Sequence, residues 1–66
     1  MKIYLNGEPR DLAHPLTVTG LLQQLELEAR NVAVEVNQDV VPRQRHHEVV
    51  LQEGDRLEIV TLVGGG

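Results

Sequence analysis

The chain has 66 residues, a formal net charge of −4, a single aromatic residue and no cysteine. This length corresponds to one domain near the lower limit for independent folding. The acidic balance disfavours nucleic-acid binding, which needs a basic surface to replace condensed counterions. Because cysteine and serine are both absent, the thiolate metal ligands are missing, and of the usual covalent nucleophiles only threonine, Lys2, Tyr4 and carboxylates remain. We therefore expect a protein that is not an enzyme and that binds no metal or cofactor.

Two further absences bear on location. No apolar run approaches the ~20 residues that a membrane-spanning helix needs. No charged segment followed by an apolar one opens the chain, as it does in a secretory signal. The sequence therefore predicts a cytoplasmic protein.

The first predicted element is a β-hairpin. Residues 1–6 alternate, with Ile3 on one face and Tyr4 on the other, which is the two-residue period of a strand. Asn6-Gly7 follows, and this pair is typical of a type I′ turn because both central residues need a positive φ. Residues 8–12 form the return strand. Pro9 cannot donate to a strand ladder, so we expect this strand at a sheet edge.

A helix is predicted next, after a linker at residues 13–15. Thr17 suits the N-cap position, and Leu16 can pack against Leu21 across the first turn. Apolar residues recur with helical spacing and form one stripe, at Val18, Leu21, Leu22 and Leu25. We expect a helix of about ten residues that fades near residues 28–31.

The second half of the chain predicts two more strands. Residues 32–36 alternate, residues 37–39 turn the chain, and residues 40–41 form a short strand that Pro42 stops. Residues 43–48 are polar and irregular, and residues 49–51 add a brief extended segment. After a turn at residues 53–55, the last strand is predicted over residues 56–63.

The order strand, strand, helix, strand, strand predicts an α+β fold with one helix on one face of a small sheet. The other face is then left to solvent or to a partner. Tyr4, Val60 and Leu62 are predicted to project there, and with Val63 they form a candidate docking surface, because adjacent exposed apolar residues favour contact.

The histidines do not predict a metal site. His46 and His47 are adjacent in a polar loop, so on an extended chain their side chains point apart, and His14 is distant in sequence. We expect all three on the surface.

The chain ends in Val63-Gly64-Gly65-Gly66, directly after the last predicted strand. Such an end is either frayed or a functional group in itself. If Gly66 is the natural terminus, its α-carboxylate is ionised at neutral pH and reacts only after activation by another protein. Glycines lack side chains, so Gly64 and Gly65 can enter a narrow channel of a partner.

Short motifs with a characteristic order and spacing cover essentially the whole chain. They are Leu5-Asn6-Gly7, Thr17-Val18, Leu21-Leu22, Val34-Glu35-Val36-Asn37, Val41-Pro42-Arg43, His47-Glu48-Val49, Gly54-Asp55, Leu57-Glu58-Ile59-Val60 and Val63-Gly64-Gly65-Gly66. With these motifs the sequence resembles the ubiquitin-like sulfur carriers, most closely the ThiS family of the thiamin pathway.

The resemblance implies a β-grasp domain over residues 1–63 and a flexible glycine tail over residues 64–66. The first and last strands are then parallel neighbours at the sheet centre, and the tail leaves at the end where Asn6 and Gly7 turn. It also implies that a ThiF-type adenylyltransferase uses ATP to adenylate the Gly66 carboxylate. A persulfide of a cysteine desulfurase then supplies sulfur for a Gly66 thiocarboxylate, and thiazole synthase, ThiG, receives that sulfur.

Two alternatives stay open at this point. A carrier of this kind can serve molybdopterin, cysteine or tRNA thiolation, which differ in the acceptor enzyme. A ubiquitin-like chain can also act as a modifier that is joined to lysines of other proteins.

Overall fold

Over residues 1–62 the fold consists of five strands and one α-helix. The computed structural model of the chain describes residues 1–62, and the predicted tail with Val63 lies outside the described residues. The elements are β1 at Lys2–Leu5, β2 at Glu8–Asp11, α1 at Val18–Gln24, β3 at Val32–Val36, β4 at Asp39–Val41 and β5 at Arg56–Thr61. Two 3-10 turns, at Ala29–Asn31 and Arg43–Arg45, follow the helix and β4.

The strands form one mixed sheet in the order β2-β1-β5-β3-β4. β1 and β5 are parallel, and the remaining neighbours are antiparallel. β5, the last strand among the described residues, is therefore at the centre of the sheet. The predicted α+β fold with parallel first and last strands is confirmed.

The N-terminal hairpin follows the sequence prediction. Asn6 and Gly7 have φ angles of 50° and 86°, as a type I′ turn requires. Leu5 then pairs with Glu8 across the turn. β2 is an edge strand, which places Pro9 where its missing N–H breaks no ladder.

The helix begins where predicted and ends earlier. Thr17 is the N-cap, and its Oγ1 accepts a hydrogen bond of 3.0 Å from the amide of Gly20. α1 has only seven residues instead of about ten, because Glu26 adopts a left-handed backbone with φ 60°. The amide of Leu27 donates to Leu22 and that of Glu26 to Gln23, which is the pattern of a Schellman motif. This motif usually has glycine at the left-handed position. Because the residue there is Glu26, the sequence does not indicate that the helix ends at this point.

The core lies between α1 and the face of the sheet that we call the inner face. It is built almost entirely from aliphatic side chains: Ile3, Leu12, Val18, Leu21, Leu22, Val32, Val34, Leu51, Leu57 and Ile59. The helical stripe and the alternating valines of β3 supply half of these residues, as their spacing predicts. The opposite face of the sheet, the outer face, is covered by no helix of the described part of the chain.

The loop after β4 departs from the prediction. We expected His46 on the surface, but it is buried, with a relative exposure of 3%. Its Nε2 lies 3.1 Å from the carbonyl oxygen of Val41 and donates to it, because a carbonyl oxygen only accepts. The helical backbone of the Arg43–Arg45 turn continues into His46 and directs this side chain inward, while His47 stays exposed.

Smaller differences concern element boundaries. β4 begins at Asp39, which the sequence pattern places in the turn, because Asn37 and Gln38 alone form a two-residue turn with positive φ. The brief extended segment at residues 49–51 reduces to one bridge between Val50 and Thr17. β5 ends at Thr61, one residue before the last position that the structure describes.

Over residues 1–62, no helix has both the length and the apolar character needed to cross a membrane.

Candidate functional site

The last described residues continue the central strand to one end of the sheet. β5 passes the end of β1, because Leu5 pairs with Leu57 while β5 runs on to Thr61. The chain therefore leaves the sheet at the end where Asn6 turns, as predicted. Gly64, Gly65 and Gly66, the predicted functional tail, lie outside the part of the chain that the structure describes.

β5 is held from both sides near this end. On the β3 side, Thr61 pairs with Val32, and the amide of Leu62 donates to the carbonyl oxygen of Asn31 at 2.7 Å. On the β1 side, the side chain of Asn6 binds both backbone groups of Ile59. The segment that precedes the tail thus starts from a strand whose register is well determined.

The outer face separates the predicted docking residues into two groups. Tyr4 lies opposite Arg56, whose guanidinium carbon is 4.8 Å from the centre of the Tyr4 ring. Arg56 is four residues before Val60 on β5, which corresponds to about 13 Å along a strand. Tyr4 therefore packs with Arg56 and does not share one apolar patch with Val60.

The second group lies close to where the chain leaves the sheet. Val60 pairs with the exposed Ala33, and 58% of its own surface is exposed. Leu62 is 53% exposed and lines a shallow depression. The other residues that line this depression are Ala29, Arg30, Val32, Arg43 and Gln44. Val63, the fourth predicted docking residue, lies outside residues 1–62.

Between these two groups lies a pair of like charges that the sequence reasoning missed. Glu35 of β3 is directly opposite Glu58 of β5. Within residues 1–62 the ion pair present is Arg30 with Glu28, at 2.9 Å, so neither Glu35 nor Glu58 has a cation within ion-pair distance. Like charges directly opposite on neighbouring strands are destabilising. The two-residue alternation placed both residues outward, but only the register between β3 and β5 brings them together.

Among residues 1–62, no three histidine, aspartate or glutamate side chains converge in a way that could hold a metal ion. His14 and His47 are both exposed, and His46 is buried against Val41. The residues that the structure describes around the end of β5 are instead the exposed apolar and charged side chains given above.

A mixed sheet with parallel central strands and one helix on one face is the β-grasp class of ubiquitin-like domains. The model of the ThiS family matches residues 3–66, which is nearly the whole chain. The chain therefore belongs to the ThiS family.

Individual proteins agree with this assignment. The sulfur carrier protein ThiS of Escherichia coli (strain K12) is 32% identical over 66 residues, which cover 100% of both chains. The crystal structure of a thiamine biosynthesis protein (ThiS) from Geobacter metallireducens superimposes with a TM-score of 0.86, at 35% identity and with both chains covered completely. A thiazole synthase of Paramagnetospirillum magneticum is 44% identical over 66 residues, and here the chain spans only 20% of the relative's length.

Proposed function

We propose that this chain is the sulfur carrier of a thiamin pathway and that the α-carboxylate of Gly66 carries the sulfur. The observation that supports this most directly is the match of the ThiS family through the final glycine. The chain offers no cysteine that could hold sulfur as a persulfide. The role therefore falls to a terminal carboxylate, and the domain acts as a substrate of partner enzymes.

The proposed chemistry begins with activation. In a ThiF-type adenylyltransferase, a Gly66 carboxylate oxygen attacks the α-phosphorus of ATP, and pyrophosphate leaves. The terminal sulfur of a cysteine-desulfurase persulfide then attacks the acyl carbon and displaces AMP. A thiol splits the resulting acyl disulfide by forming a disulfide with the donor's sulfur, and Gly66 keeps a thiocarboxylate. Gly64 and Gly65 provide a stem without side chains that can enter the enzyme.

We propose thiazole synthase, ThiG, as the acceptor of this sulfur. Two proteins named thiazole synthase each contain a region, one fifth (20%) of their length, that is similar to this whole chain. Such a combination in one polypeptide supports a working partnership between the two activities.

Mass spectrometry tests the carrier role. The full chain is incubated with a ThiF-type adenylyltransferase, ATP, a persulfide donor and a thiol, and its intact mass is expected to rise by one exchange of oxygen for sulfur. A chain without Gly66 is the control and should keep its mass. An unchanged mass of the full chain, or an equal rise in the control, contradicts the proposal. Intact mass of the natural protein also establishes whether Gly66 is the free terminus that this chemistry needs.

We further propose that the partner enzyme contacts the outer face around the end of β5. Val60 and Leu62 are the described apolar part of this docking surface, Val63 is added to it from the sequence alone, and Tyr4 with its stacked Arg56 is a separate contact. Apolar residues next to the emerging chain are suited to this role, because an exposed apolar patch gains free energy when a partner covers it.

Leu62→Asp tests the docking surface against a matched control. The substitution is expected to weaken binding of the adenylyltransferase by about 10-fold or more, because it places a charge in an apolar contact. Val50 has nearly the same exposure, 52% against 53%, but lies beside Thr17 near the start of α1. Val50→Asp should therefore leave the affinity unchanged. Equal affinities of the two variants, measured by titration calorimetry, would exclude Leu62 from the interface.

A further inference from the structure

Two asparagines hold the central strand at its two ends. Asn6 is in the turn after β1, Asn37 is in the turn after β3, and both have a left-handed backbone, with φ angles of 50° and 52°. Asparagine tolerates this conformation better than most residues, which accounts for its presence in both turns. In each case, however, the side chain also binds the backbone of β5.

Asn6 continues the β1–β5 ladder after β1 has left the sheet. Its amide donates to the carbonyl oxygen of Leu57 at 2.9 Å. Its side-chain Oδ1 accepts from the amide of Ile59 at 2.8 Å, and its Nδ2 donates to the carbonyl oxygen of Ile59 at 3.2 Å. A carboxamide has the same donor and acceptor as a peptide group. The side chain therefore replaces the next peptide of β1, which turns away at Gly7.

The side chain of Asn6 holds β5 at Ile59. Ile59 is three residues before Leu62, and β1 itself pairs with β5 only up to Leu57. Beyond that pair, the contact of Asn6 with Ile59 is what holds β5 from the β1 side. From there on, the pairing of β5 with β3 and the bond between Leu62 and Asn31 hold the other side.

We propose that Asn6 is a positioning residue for the carrier reaction: its carboxamide holds β5 at Ile59 and so sets the direction in which the chain leaves the sheet. This inference depends on the proposed function, in which the chain beyond Leu62 enters a partner enzyme. Without the Asn6 contact, the contacts near the end of β5 that remain among residues 1–62 are those with β3 and Asn31. The chain then samples more directions, and the partner enzyme must restrict them before Gly66 reacts.

Asn37 provides a control within the same strand. Its Oδ1 accepts from the amide of Arg56 at 3.0 Å, and its Nδ2 donates to Oδ1 of Asp55 at 3.0 Å. These contacts lie at the beginning of β5, at the opposite end from Leu62. Asn6→Gly and Asn37→Gly each remove two side-chain hydrogen bonds, and glycine preserves the left-handed turn in both. The two variants therefore differ chiefly in which end of β5 is released.

The test compares both variants with the wild-type chain as substrates of a ThiF-type adenylyltransferase, with pyrophosphate release as the rate. We expect Asn6→Gly to lower kcat about 3–10-fold, the factor that corresponds to losing one or two net hydrogen bonds. KM for the carrier should stay within about twofold, because the docking residues themselves are unchanged. Asn37→Gly should leave both constants within about twofold of the wild type.

Two further measurements make the result specific. Amide hydrogen exchange at Ile59 should be faster in Asn6→Gly and unchanged in Asn37→Gly. Urea unfolding of both variants measures the loss of global stability. A kcat that falls equally in both variants, or a wild-type kcat in Asn6→Gly, overturns the positioning role. Absence of pyrophosphate release with the wild-type chain overturns the proposed function and the positioning role with it, while the exchange at Ile59 still reports whether Asn6 holds the strand.

Discussion

The inner and outer faces of one sheet differ sharply in this protein. On the inner face, Ile3, Val34 and Leu57 are at most 1% exposed and belong to a continuous aliphatic core. On the outer face, Glu35 lies opposite Glu58, and Val60 is more than half exposed. Both faces alternate along the same strands, so backbone geometry does not explain the difference. The inner face is covered by α1 and stabilises the domain, whereas the outer face has exposed apolar residues and two like charges opposite each other.

The small size of the domain increases the difference between the two faces in their contribution to stability. A seven-residue helix is long enough to cover only one face of a five-stranded sheet. A chain of this length gains only ~3–5 kcal/mol of net stability from its core. Each inner-face residue therefore carries a large share of the stability, and substitutions on the outer face affect stability little.

The largest expected effect is a difference in stability between two truncations on β5, one on the inner face and one on the outer face. Leu57→Ala should lower the free energy of unfolding by about 2–5 kcal/mol, because it removes a fully buried side chain and leaves a cavity. Val60→Ala on the same strand should cost less than about 1 kcal/mol. Urea denaturation of both variants makes the comparison, and similar losses would show that the two faces do not differ in this way.

A smaller effect is expected at the buried histidine. His46→Ala should cost about 1–3 kcal/mol, because it removes the hydrogen bond to the carbonyl oxygen of Val41 and opens a space in the interior. The neighbouring His47 is exposed, and His47→Ala should change the stability by less than about 0.5 kcal/mol. Thermal unfolding of the two variants separates them. A mild effect at His46 would mean that its hydrogen bond to Val41 contributes little.

The smallest effect concerns the like charges on the outer face. Glu58→Gln should stabilise the free domain by about 0.2–1 kcal/mol, because it removes the repulsion with Glu35. The gain should shrink as salt is added, since salt screens exposed charges. Glu48→Gln, in an exposed loop, is the control and should show a smaller gain. Unfolding at low and high salt provides the measurement, and a gain independent of salt would argue against repulsion as its cause.

Local patterns predicted most of the elements for clear reasons. The Asn6-Gly7 turn, the Thr17 cap and the edge position of Pro9 each follow from the conformational preference of one or two residues. The alternation in β3 and β5 predicted which side chains face the core. The parallel pairing of β1 with β5 was expected only from the resemblance to a family, because local patterns contain no information about which strands meet.

Two predictions from the sequence were wrong: where the helix ends, and that His46 lies on the surface. Glu26 ends the helix in a left-handed conformation that its side chain does not favour, so hydrogen bonds within the folded chain must hold it there. His46 is buried because a 3-10 turn directs it inward, although its neighbours in the sequence are polar. In both cases hydrogen bonds to residues three to five positions earlier in the chain accompany the conformation, and the residue types at these positions do not indicate them.

By itself, the sequence determined the strand and helix order, the first turn, the aliphatic core and a candidate functional group at Gly66, because these depend on residue type and short-range periodicity. Only the tertiary structure decided that Glu35 faces Glu58, that Tyr4 stacks with Arg56 away from Val60, and that the side chain of Asn6 extends the ladder to Ile59. These contacts depend on the register between strands that are far apart in the chain. That register is set when the whole core packs, and no local pattern specifies it.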